Sequence, residues 1–154
     1  MIKPGPEHAR LAEMVGTWDA ELGFVFKAGD PPVKAHCISR ITLELGGMFI
    51  QERIEGLLGE QPIATSSWTG FNTFTNHYEA TRMASTNTIR ILESGVYDEK
   101  LAAFVLTAAY PFAGDTWTQR TIIKHAKDTM DVDVFMSFGK TPEWKGCTIT
   151  YRRR

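Results

Sequence analysis

A chain of 154 residues with 43% hydrophobic and 23% charged side chains is long enough to bury a core of its own, and its formal net charge of -1 offers no broad positive field to a polyanion. Nucleic acid is therefore not expected as a partner, nor is a membrane, since no run approaches the roughly 20 apolar residues of a spanning helix. Two cysteines, Cys37 and Cys147, are too few for a secreted disulfide framework; with no apolar signal core between Met1 and Gly16, the expected location is cytoplasmic.

In chain order, one helix is legible, over residues 6–15. Pro6 suits the first turn, Glu7 the positive end, Leu11, Met14 and Val15 share a face, and Gly16 stops it. It is expected to lid one end of a barrel built from the rest of the chain. Gly16-Thr17-Trp18 opens a strict alternation, with Trp18, Ala20, Leu22, Phe24 and Phe26 on one side and Thr17, Asp19, Glu21 and Lys27 on the other. Ala28 to Pro32 breaks it. Val33 to Leu45 keeps Val33, Ala35, Cys37, Ile41, Leu43 and Leu45 on one parity until Gly46-Gly47, and each cysteine on an apolar stripe reads as a buried free thiol. Met48 to Leu58, Gln61 to Phe71, Tyr78 to Ser85, Thr88 to Tyr97, Leu101 to Tyr110, Thr116 to His125, Thr129 to Phe138 and Trp144 to Arg152 come next, divided by short turn-forming stretches. About ten strands with short links and no helical crossovers predict one antiparallel up-and-down β-barrel over residues 1–154, an all-β fold.

Five landmarks in register, Gly5-Pro6-Glu7-His8, Gly16-Thr17-Trp18-Asp19, Leu45-Gly46-Gly47, Gly70-Phe71-Asn72 and Thr150-Tyr151-Arg152-Arg153, resemble the bacterial family catalogued as domain of unknown function 1579. That family is similar to the lipocalin and fatty-acid-binding-protein barrels. The resemblance implies the same fold and leaves the activity open. It also implies that Trp18 packs at the closed end of the barrel beneath a basic residue of the last strand. Arg153 is the match, sharing parity with Cys147, Ile149 and Tyr151; the competing reading makes Arg152 to Arg154 a frayed basic tail. Two positions depart from the pattern. The Arg-x-Tyr carboxylate clamp of fatty-acid-binding proteins is incomplete, because Ile149 stands two before Tyr151. Arg82 and Ala84 occupy positions where the family presents Trp and Asp.

Glu52 is the first candidate for chemistry, because it falls on the parity of Met48, Ile50 and Ile54, where a charge needs a partner. Arg82, on the parity of Tyr78, Ala80 and Ala84, is the expected partner, either in an ion pair or in gripping a polar ligand group. A bulge that shifted either strand's register would send the residue to solvent. The expected apolar lining is Leu22, Phe24, Phe26, Ile50, Ile54, Met130, Val132, Val134, Met136 and Phe138, with Tyr78 and Tyr151 supplying hydroxyls. Glu52, Arg82, Tyr78, Phe24 and Tyr151 are thus the candidate ligand contacts, and Trp18 and Arg153 the closing pair. His8, His36, His77 and His125 sit in different elements, so no metal site or cofactor is expected. Asp128, Asp131 and Asp133 read as a solvated edge. No nucleophile elbow or Ser/His/Asp arrangement surrounds Ser66, Ser67, Ser85 or Thr86.

Three functions fit these residues. The first is a non-catalytic binder of a small, mostly apolar molecule. The second is an isomerase or hydrolase with Glu52 as general base beside Arg82. The third is a homodimeric interaction module with a filled barrel, for which Trp68, Trp117 or Trp144 on an outer face would supply the contact.

Overall fold

The computed structural model describes residues 3–154. Between Gly16 and Arg153 the period-two pattern becomes ten antiparallel strands: β1 (Gly16–Phe24), β2 (Val33–Glu44), β3 (Phe49–Leu58), β4 (Gln61–Asn72), β5 (His77–Ala84), β6 (Ile91–Asp98), β7 (Ala103–Phe112), β8 (Asp115–His125), β9 (Thr129–Phe138) and β10 (Trp144–Arg153). Each pairs with its neighbours in sequence, and β1 also pairs with β10, so the sheet closes into a barrel. Closure gives every strand two partners and removes the edges at which an open sheet would aggregate. Alternation sets what fills the interior. On β1, Trp18, Ala20 and Leu22 are buried while Thr17, Asp19 and Glu21 are not, and Ala35, Cys37, Ser39 and Ile41 fill the interior from β2.

The helix α1 (Pro6–Ala12) is shorter than the sequence predicts. Beyond it the chain tightens into turns, with Met14 N–H donating to Leu11 O at 3.1 Å and Val15 N–H to Ala12 O at 3.2 Å. The Met14 carbonyl is occupied by the Trp18 indole, whose Nε1 donates to it at 3.0 Å. Seven residues of helix are too few to persist alone. Packing holds this one: Leu11 and Met14 are buried in the barrel end, each contributing about 1.5–3 kcal/mol by leaving water. The Tyr78 hydroxyl donates to Glu7 O at 3.2 Å, and Arg10 lies 3.7 Å over the Tyr97 ring while donating to Glu99 at 3.0 Å.

At that end the Arg153 guanidinium sits 4.1 Å from the Trp18 ring centroid. It donates to the carbonyls of Val15 and Lys127, both at 2.8 Å, and of Glu13 at 3.1 Å. Planar, multiply donating and cationic, it fits an aromatic face ringed by carbonyls better than a lysine would. The glycine of the Gly-x-Trp opening makes room for it. Gly16 has φ +150°, and a side chain there would press on the guanidinium.

Two expectations are corrected at the opposite end. Phe26 is 70% exposed instead of lining the interior. β1 stops at Phe24, and Val25 N–H is drawn to Gly146 O at 2.8 Å, beside the bulge between Lys145 and Cys147. Val33 keeps inward parity but is exposed, because it is the first residue of β2 at this rim; Leu43 and Leu45 are exposed for the same reason at the other, α1 end of that strand. Cys37 and Cys147 are free and buried.

Candidate functional site

A layer of polar side chains crosses the barrel interior and divides it. Glu52 of β3 faces inward, and its Oε1 accepts from Ser39 Oγ at 2.7 Å and from the Tyr151 hydroxyl at 2.9 Å. Its Oε2 receives one longer contact, from Ser67 Oγ at 3.5 Å. Across the layer, Arg82 Nε donates to Glu93 Oε2, and Glu93 Oε1 accepts from Thr121 Oγ1 and from Gln119 Nε2, the latter at 3.1 Å. Ser39, Ser67, Glu93, Gln119 and Thr121 are all buried. The strands dictate this meeting. Glu52 is paired with Ser67 and Ser67 with Arg82, so the three form one row across β3, β4 and β5. Glu93 lies opposite Ala80, one diagonal step from Arg82 on β6.

Burial costs each charged group hydration, and the pairing offsets it. The Glu93 side chain is fully enclosed. Burial alone would raise its pKa, but the Arg82 charge and the donors Thr121 and Gln119 outweigh that and hold it below the usual carboxylate range. Burial likewise opposes the charge on Arg82, and the Glu93 and Glu52 carboxylates together raise its pKa above the ordinary value. Tyr151 is held well above its usual range, first by burial and then by Glu52, so its hydroxyl stays a donor.

Above the layer, away from α1, lies a cavity of about 190 Å³, open to solvent. Its wall is mostly apolar, including Leu22, Phe24, Ile54, Val132, Val134, Met136 and Ile149, and its floor contains Glu52, Ser67, Arg82, Gln119 and Thr121. Asn87 and Ile89, from the link between β5 and β6, stand at its mouth. Below the layer is a chamber of about 30 Å³ under Leu11 and Met14, room for a water or two. Glu52 and Arg82 border both spaces.

The candidate contacts from the sequence divide accordingly. Glu52 and Arg82 both face the interior, but they do not pair with each other; a whole strand separates them, and the partner of Arg82 is Glu93. Phe24 lines the open cavity. Tyr151 borders the small chamber and reaches the layer through Glu52. Tyr78 is corrected: it is buried at the α1 end, its hydroxyl bound to Glu7 O and its ring edge-on to Phe71 and Phe104. Sequence reasoning missed Glu93, Gln119 and Thr121. Glu93 shares parity with Ile89, Ile91 and Tyr97, a signal that could have found it, but Leu92 and Val96 on the other face make β6 apolar on both sides. Of the tryptophans, Trp117 and Trp144 meet edge-on at 5.7 Å in a cluster with Phe112 and Phe138 at the barrel rim. Trp68 faces outward and is half-buried. Among the described residues no three His, Cys, Asp or Glu side chains converge as metal ligands, and no helix is long and apolar enough to cross a membrane.

Among the solved structures it resembles, the barrel is similar to that titled "Crystal Structure of Rv2717c from M. tuberculosis", with a TM-score of 0.67 and 14% sequence identity over 97% of this chain and 98% of that one. At that identity the likeness is one of fold. No curated protein matches the sequence. A family model described as "Protein of unknown function (DUF1579)" matches residues 3–153, and the chain belongs to that family.

Proposed function

We propose that the protein is a non-catalytic binder of one small, mostly apolar molecule, held in the open half of the barrel and oriented by Glu52 and Arg82. The observation that carries this reading is the 190 Å³ cavity, mostly apolar on its wall, with its charged groups confined to the floor. A site of that composition takes a ligand whose body leaves water and whose single polar end is fixed by a few placed groups. The volume sets the scale. An engineered apolar cavity of about 150 Å³ in another protein holds benzene, so the ligand, or the part of it inside the barrel, is little larger than a substituted ring. Phe24 and Met136 belong to the wall of this site. Tyr151 acts at one remove, by orienting Glu52.

Methyl-resolved NMR with toluene tests the proposal. Saturable shifts at the Leu22, Ile54, Val132, Val134 and Ile149 methyls, with the Leu11 and Ile41 methyls of the closed end unmoved, are the expected result. Absence of saturable shifts up to the solubility of toluene would overturn it.

A further inference from the structure

We infer that the head group taken by this site is uncharged and pairs as donor and acceptor at once, as a carboxamide does; this rests on the binding role proposed above. Arg82 uses Nε on Glu93, while among the described residues Nη1 and Nη2 donate to no protein group, and the side chain is 25% exposed. Glu52 is the reverse case. Oε1 is saturated by Ser39 and Tyr151, and Oε2 has only the 3.5 Å contact from Ser67. The floor therefore presents unused donors on one side and an unused acceptor on the other, in the row Glu52, Ser67, Arg82. Two strand spacings, roughly 9.5 Å between backbones, separate the outer members, and their side chains reach inward across that gap. A planar group with C=O toward Arg82 and N–H toward Glu52 satisfies both.

Charge selects against the alternatives. Glu52 and Glu93 against Arg82 leave the layer with one carboxylate in excess, so a carboxylate ligand would add a third anion beside a single cation. A cationic head could approach Glu52 but would leave the Arg82 donors facing a like charge. Both misfits carry the larger penalty because unpaired polar groups in such a site are costly.

The test is isothermal titration of the full chain with benzamide, benzoate, benzamidinium and toluene, probes that share a ring and differ at the head. Benzamide is expected to bind at least tenfold more tightly than each of the others. In E52Q, checked for folding by its methyl spectrum, the preference for benzamide over benzoate should shrink severalfold as the excess charge disappears. Toluene binding accompanied by benzoate or benzamidinium equal to or tighter than benzamide would overturn the head-group assignment while leaving the container standing. Failure of all four, toluene included, would overturn the binding role itself and this inference with it.

Discussion

Replacing Glu93 with Gln removes the charge that compensates Arg82 while keeping the side chain's volume. Breaking a fully buried ion pair from one side costs about 3–5 kcal/mol, because the surviving charge stays desolvated. Here Arg82 keeps 25% exposure through the cavity and a second carboxylate, Glu52, on its other side, which lowers the expected loss to about 2–4 kcal/mol. For a domain of this size that is a fall in Tm of roughly 5–15 °C. Urea unfolding at neutral pH should show a lower midpoint with the slope unchanged, because the surface exposed on unfolding is the same. Adding Arg82→Gln to Glu93→Gln should cost less than the sum of the two singles, since the second change removes the stranded charge. The difference should also vanish in acid. Because the folded-state pKa of Glu93 lies below its unfolded value of about 4.3, its contribution is complete above that pH and is lost as pH falls through the folded value. Wild type and E93Q should therefore begin to converge as pH falls below the unfolded value and meet only below the folded one. A neutral-pH loss under about 0.5 kcal/mol, which is typical of a surface position, or strict additivity with Arg82→Gln, would refute the reasoning.

Arg153→Met removes three hydrogen bonds to carbonyls and the cation above Trp18, and should cost about 2 kcal/mol with a change in tryptophan fluorescence; Arg153→Lys should restore only part of it, read by the same thermal melt. Gly95→Ala places a methyl group against the Val105 carbonyl and Leu106 Cα of the adjacent strand, so a loss of about 1–3 kcal/mol is expected in urea, and unchanged stability would show that β6 and β7 do not approach so closely. Burial pushes the Cys147 thiol up to about 12 and raises that of Cys37. Native protein at pH 8 should therefore leave Ellman's reagent unreacted over minutes and yield two thiols per chain in guanidinium; a fast native burst would contradict the burial.

Alternation made the barrel legible, because a closed antiparallel sheet buries one face of every strand and the turns between strands are marked by Gly, Pro, Asn and Asp. It told inside from outside at Glu52, Arg82, Tyr151 and Trp18. It could not tell one end of the barrel from the other, which is why Tyr78 reads as a ligand contact in the sequence when it belongs beneath α1. Nor could it say which inward charges meet, since that depends on strand neighbours and register. Glu52 and Arg82 share a row but are held apart by Ser67, whereas Glu93 arrives beside Arg82 from the adjacent strand. Phe26 failed for a third reason: the stripe continues in sequence past Phe24, where β1 ends. The five landmarks and the family match over residues 3–153 agree on the family.

The container itself is tested most directly by native mass spectrometry of the gently purified protein against its denatured mass. The account predicts one small molecule retained per chain and released on denaturation, uncharged at its polar end and mostly apolar. A chain that carries nothing, and that still takes up no small apolar molecule when exposed to a mixture of them, would show that the space above Glu52 and Arg82 is only a gap in the packing.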